Sequence, residues 1–269
     1  MKQTSRFLAF FLCIVLLTSA VFTVDTHAAD LSVFDTSNAS EGYFTVHFDA
    51  TVKMKVGVTV NSKTTYYSYT PGTYSSYAFT EGNGSYKLTL YRNVYGTSYA
   101  KVTSKTVNVN LVDALAPYRA STAEITFSQN DAVGLKAAEI CQGLTDDAAK
   151  VVAIHNYVAS NFTYDYNFAA SVRSGAMKGY VPNTSNIIAS GKGVCYDFAA
   201  VFAALCRSQG IACTLQKGYL NGQYHAWNVV YVNNGWVSVD LTASISYGVR
   251  SASSIYDCAA VMYSNTYTY

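Results

Sequence analysis

The stretch Gly191-Lys192-Gly193-Val194-Cys195-Tyr196-Asp197-Phe198-Ala199-Ala200-Val201-Phe202 decides how the second half of this chain folds. Two glycines favour a turn. From 196 to 209 apolar residues then recur at helical spacing, with Phe198, Val201, Phe202 and Leu205 on one side and Gly210 as the stop. Cys195 therefore falls at a helix N-terminus. Unpaired amides and the helix dipole there favour an anion, the state in which a thiol is a nucleophile. Free cysteine is also among the most buried residue types, so the position alone leaves a small core residue as the alternative.

The residues beyond this helix bear on that choice. Three strand-like runs, 211–220, 225–232 and 236–241, are separated by Asn221-Gly222 and Asn233-Asn234-Gly235, and Asn-Gly is a strong hairpin signal. His225 opens the second run. Asp240 lies at the far end of the third, an unusual place for a carboxylate in an otherwise apolar strand. With Asn233-Asn234 as a two-residue turn, His225 opposes Thr242, and Asp240 is a diagonal neighbour of His225 on the same face. Moving the turn to Asn234-Gly235 keeps that parity, whereas a three-residue turn breaks it unless a bulge restores it. Diagonal neighbours sit ~7–8 Å apart at Cα, within side-chain reach. In this geometry Asp240 orients His225, and His225 takes the thiol proton of Cys195.

Upstream, 132–142 reads as a helix with Asn130 or Asp131 as cap. The run 146–160 reads as a second helix, with Thr145 as its N-cap and Asp146 and Asp147 in the first turn. Val151, Ile154 and Val158 share a face, and His155 beside them is taken as structural. The segment 161–190, with Gly175, Gly179 and Pro182, reads as a long loop, and long loops inside compact domains are often functional.

Residues 30–112 have a different character. The runs 42–48, 52–58, 85–91 and 105–111 alternate with a period of two, and Gly82-Asn83-Gly84 is a turn signal, which together suggest a β-sandwich. Residues 113–129, opening Asp113-Ala114-Leu115-Ala116-Pro117, read as a linker to a domain spanning 130–269. The fold class expected is α+β, with helices plus an antiparallel sheet preceded by an all-β, sandwich-like domain.

Residues 1–29 combine a basic start, an uncharged apolar run and a small-residue exit, the pattern of a secretory signal peptide. Cleavage is expected after Ala29, with an uncleaved anchor as the alternative, since the run is nearly long enough to span a bilayer. Loss of Cys13 leaves an odd number of the six cysteines. Cys195 is expected to be free; whether Cys141, Cys206, Cys213 and Cys258 pair or stay reduced is open. Net charge is +2 with 13% charged residues and no basic cluster, so nucleic acid is not an expected partner. No metal-ligand spacing appears, and Gly191-Lys192-Gly193 lacks the Ser/Thr and earlier Gly of a P-loop, so neither metal nor cofactor is expected. The 24 tyrosines suit strands of an exported protein. Tyr-rich surfaces also bind sugars and peptidoglycan, but ordinary strand faces are the simpler account.

The segments "GVCYDFAAVFAALCRSQGI", "YHAWN" and "WVSVDLT" resemble the Cys, His and Asp motifs of the transglutaminase-like superfamily, whose core is papain-like. The resemblance covers roughly 130–245. The upstream "AIHNYVASNFTYD" is similar to a segment preceding the cysteine in secreted bacterial members. It implies a catalytic triad of Cys195, His225 and Asp240. The usual Asp-Pro-Thr is Asp240-Leu241-Thr242 here, and no motif marks the family's oxyanion helper; Tyr164 is the candidate, beside the backbone N–H of Cys195. It also implies a thioester on Cys195, resolved by water in a peptidase or amidase and by an amine in a transglutaminase. Hydrolysis of extracellular protein, peptide or cell-wall peptide substrates is the favoured expectation, with no stable membrane insertion after signal cleavage. A non-catalytic surface binding protein is the rival of a different class.

Overall fold

A computed structural model describes residues 33–177, 179–247 and 263–269. The expected signal segment 1–29 and Cys258 lie outside the described residues. Among those described, no helix is long and apolar enough to cross a membrane.

The first region is built from seven strands, β1 (Phe34–Asp35), β2 (Tyr43–Val46), β3 (Met54–Val60), β4 (Lys63–Tyr69), β5 (Ser75–Ala78), β6 (Gly84–Tyr95) and β7 (Ser98–Val109). They form two antiparallel sheets, β1-β2-β5 and β4-β3-β6-β7. The inward residues of both sheets, among them Phe44, Val56, Leu88 and Leu90, share one core. Tyrosines take part in that core. Tyr69 OH donates to Phe48 O at 3.0 Å, Tyr77 OH to Ser68 O at 3.1 Å and Tyr86 OH to Gly82 O at 2.8 Å. Each ring is buried while its hydroxyl is satisfied by backbone, which removes the cost of burying the phenol.

Residues 113–129, read as a linker, are packed rather than spacer-like. Arg119 pairs with Asp113, a short 3-10 turn spans Ala116–Tyr118, and Thr122 bridges to Ile125. Arg207 Nη1 donates to Ala120 O at 2.7 Å, and buried Glu124 receives Lys217 Nζ at 2.8 Å. The same ammonium donates to Tyr196 OH at 3.0 Å and lies over the rings of Tyr196 and Tyr269. Tyr269 in turn meets Tyr67 of the sandwich edge-on at 5.3 Å. Sandwich and helical region belong to one compact unit, Leu31–Tyr269, and the connector carries the carboxylate that neutralises a buried lysine.

The helical region comprises α1 (Ala132–Ile140), α2 (Asp147–Asn161), the short β8 (Thr163–Tyr164), α3 (Tyr166–Arg173), α4 (Thr184–Ser190), the short β9 (Lys192–Gly193) and α5 (Cys195–Ser208). Asp131 caps α1 as expected. Asp146, not Thr145, caps α2: its side chain accepts from Ala149 N at 2.8 Å, and a carboxylate is the better partner for a helix start. The segment 161–190 is not simply a loop. Asp165 and Asn183 cap α3 and α4 by accepting from Phe168 N and Asn186 N. His155 is structural, fully buried with Nε2 2.8 Å from Ser244 Oγ.

The chain then forms β10 (Cys213–Leu220), β11 (Gln223–Val232), β12 (Gly235–Val239), α6 (Leu241–Tyr247) and β13 (Tyr263–Thr268). The antiparallel sheet has the order β12-β11-β10-β13, and α5 packs against it with α1, α2 and α4 alongside. Asn233 and Asn234 both have positive φ, 51° and 60°, the backbone of a tight two-residue hairpin.

Candidate active site

Cys195 is the first residue of α5, and the backbone before it is fixed on both sides. β9 pairs in parallel with β8, with Asp165 N donating to Gly193 O at 2.8 Å. Asp197, buried in the first turn of α5, accepts from Val194 N at 2.9 Å and from Tyr180 OH at 2.6 Å. Burial pushes the Asp197 carboxyl up, while the bonds from Tyr180 and Val194 pull it down. Gly193 is required here for space: a Cβ on it would lie 2.6 Å from the Asp197 Cβ. The cysteine is therefore held at the end of a backbone segment with little freedom. It is an unpaired thiol, as are Cys141, Cys206 and Cys213.

His225 lies on β11, 8% exposed, its ring parallel to that of Trp227 at 6.1 Å and 12°. The β11–β12 ladder runs from Val232↔Gly235 to Asn228↔Val239, the register set by an Asn233-Asn234 turn. The ladder stops there, and Leu241 begins α6 where a strand was read. One step past the ladder, Asp240 falls opposite Trp227, on the same side as His225. Its carboxylate does two jobs. Oδ1 accepts from Thr242 N at 3.0 Å and Ala243 N at 3.2 Å at the start of α6. Oδ2 lies 2.7 Å from His225 Nε2. With Nε2 engaged by Asp240, Nδ1 is left for the hydrogen bond between His225 and the Cys195 side chain.

Burial by itself would lower the His225 pKa. The hydrogen bonds to Asp240 and then to Cys195 outweigh it and push the ring up to about 9. At neutral pH the ring is an imidazolium. Because its folded value lies above the ordinary 6.5, the stabilisation is fully present below pH 6.5 and is lost as pH rises through about 9. The difference in urea midpoint between the wild type and His225→Gln should therefore shrink across that window. A difference that grows with pH there would mean a ring that is neutral in the folded state.

Tyr164 reaches the same place. It packs on Phe198 and Tyr166, and burial, then the neighbouring Cys195, raise its pKa, so it keeps the O–H a donor needs. β8–β9 pairing sets it beside Gly193. The backbone N–H of Cys195, in the first turn of α5, is the other donor free of intrahelical bonding.

Sequence reasoning missed several positioning residues. Asn228, next to the histidine motif, is fully buried and donates to Ala199 O at 2.9 Å and Thr214 O at 2.8 Å, tying α5 to the sheet. Asp197, three residues after Val194, has the spacing of an acidic N3 residue at a helix start, a signal present in the sequence. The Tyr180 contact has no such signal, since it depends on the path of a loop.

Residues 136–241 match the family model described as Transglutaminase-like superfamily. Kyphoscoliosis peptidase of Mus musculus is 28% identical over 116 residues, covering 39% of this chain and 17% of that protein. The human protein of the same name matches to the same extent, so the chain aligns with about a sixth of the length of these relatives. Among solved structures, a candidate cysteine protease from Cytophaga hutchinsonii is similar with a TM-score of 0.42 and 18% identity, over 84% of this chain and 83% of that one. Red sea bream transglutaminase is similar with a TM-score of 0.32 and 14% identity, over 74% and 48%.

Proposed function

We propose that the transglutaminase-like domain of residues 136–241 carries a thiol enzyme that opens carboxamides through a thioester, with Cys195 as nucleophile, His225 as proton carrier and Asp240 as its orienting group. The observation that carries this reading is the His225 ring, hydrogen-bonded to Asp240 on one side and to Cys195 on the other. The Cys195 sulfur attacks the carbonyl carbon, and the oxyanion is held by the Cys195 N–H with the Tyr164 hydroxyl. Collapse of this intermediate breaks the C–N bond while the imidazolium gives its proton to the departing amine. The neutral imidazole then takes a proton from water, whose oxygen attacks the thioester. Collapse of this second intermediate breaks the C–S bond and expels the Cys195 thiolate with release of carboxylic acid. His225 keeps the proton taken from water, which restores the starting pair.

Hydrolysis is the preferred outcome, in keeping with the peptidase names of the matching relatives. Transfer to an amine differs only in the second nucleophile. The basic-then-apolar start of the chain supports export, placing the substrates among extracellular proteins or cell-wall peptides.

The test is incubation with casein and a fluorescent amine, scoring cleavage and label incorporation together, and timing iodoacetamide capture of Cys195. Cleavage without incorporation is expected, with alkylation faster than that of a simple thiol. Incorporation without cleavage would replace the hydrolase reading by acyl transfer. Absence of both, with ordinary thiol reactivity, would leave a binding protein.

A further inference from the structure

Away from Cys195, the sandwich presents a surface cleft with a volume of about 530 Å³, lined by Asp35, Thr36, Ser37, His47, Tyr74 and Lys105 together with Phe34. That volume lies in the range of small-ligand sites, roughly 300–1,000 Å³. We propose that this cleft binds an uncharged glycan, stacked on the ring of Tyr74 and held at its hydroxyls by Asp35 and Lys105.

Tyr74 is 77% exposed, yet its ring is not loose. It stacks on His47 with centroids 4.1 Å apart and planes 18° apart. The histidine backbone is tied to the residue before β1 by His47 N donating to Val33 O at 3.2 Å. One face of the phenol ring is thus occupied by imidazole, and the other is presented outward already ordered. A binder that holds an aromatic plate in place before contact avoids most of the ordering cost of binding. The chemistry that fits a flat, exposed aromatic face is a row of axial C–H groups. β-Linked sugars of gluco configuration present such a row, because every ring hydroxyl is equatorial.

The rim selects the same class. Asp35 is an exposed carboxylate whose Oδ1 accepts from Ser37 N at 2.9 Å, and that bond, ahead of the nearby Lys105, holds it in the ionised form. Lys105 Nζ donates to Phe34 O at 3.1 Å and to Thr36 Oγ1 at 2.9 Å. An ammonium has three donors, so one remains after these two. One acidic and one basic group cancel, which removes any preference for an ionic ligand. A carboxylate that accepts beside an ammonium that donates suits neighbouring hydroxyls, each of which does both.

The experiment is calorimetric titration of the chain with cellohexaose and with hexa-N-acetylchitohexaose, using polygalacturonate and a lysine-rich peptide as charged comparators. Binding of at least one neutral oligosaccharide is expected. Tyr74→Ala should weaken it tenfold or more and Asp35→Asn several-fold, and neither should alter iodoacetamide capture of Cys195. Cys195→Ala should bind the sugar as the wild type does, which separates this site from the thiol chemistry. Tyr74 is exposed, so its loss leaves the fold intact. The proposal is overturned by failure of both oligosaccharides to bind at millimolar concentration, by preference for either charged comparator, or by wild-type affinity in Tyr74→Ala.

Discussion

Cys195→Ala should reduce turnover of a carboxamide substrate to background, a loss on the order of 10⁶-fold by analogy with deletion of other enzymic nucleophiles. No nearby group can take over, since the other described thiols are buried. The fold should survive. Cys195 is half-buried at a helix start, and losing one sulfur atom there costs about 1 kcal/mol or less. The measurement pairs product formation by chromatography with a thermal melt of the same preparation. Retention of more than a thousandth of the wild-type rate in a well-folded variant would remove the thiol from the mechanism.

Asp240→Asn should cost about 10⁴-fold in turnover. The melt should fall near neutral pH, where the His225 imidazolium loses its counterion, and stay almost unchanged above about pH 9, where the wild-type ring is neutral too. An Asn side-chain oxygen can still accept from Thr242 N and Ala243 N, so the start of α6 keeps its cap. The change falls on the other side of the carboxylate. The amide NH₂ now faces His225 Nε2 and makes that nitrogen an acceptor, which places the ring hydrogen on Nδ1, toward the thiol. The imidazole then cannot accept the thiol proton. Asp240→Ala separates the two roles, since it loses rate and stability together. A variant Asp240→Asn that still melted far below the wild type above about pH 9 would show the carboxylate to be chiefly a structural cap.

The strand register around the histidine was legible because it rests on one local fact. Asn233-Asn234 tolerates positive φ at two successive positions, and that fixes which strand residues face each other. Cys195 at a helix start was legible for a similar reason, an apolar period following two glycines. The misses have physical causes as well. Trp236-Val237-Ser238-Val239-Asp240-Leu241 alternates like a strand to its end, yet the Asp240 carboxylate turns the backbone into α6. Lys63–Tyr69, unread as a strand, is Thr and Tyr on both faces, so no apolar alternation marks it. Its inward tyrosines are tolerated because the fold supplies backbone partners for the Tyr69 hydroxyl, which sequence spacing does not show. The Tyr180–Asp197 clamp belongs to the same class: both residues are visible, but their meeting depends on tertiary structure.

The buried contact of Lys217 with Glu124 bears on how this gene can be rearranged. The acid comes from the connector and the base from the sheet beside the nucleophile's helix, and each side chain is only 10% exposed. Splitting such a pair typically costs ~3–5 kcal/mol, a large fraction of the ~5–15 kcal/mol that holds a domain together. A segment that began at residue 130 would carry the cation without its counterion. The half that bears the thiol is therefore a poor mobile cassette: recombination that moves it intact must cut upstream of Glu124 or recruit a new acid at the seam.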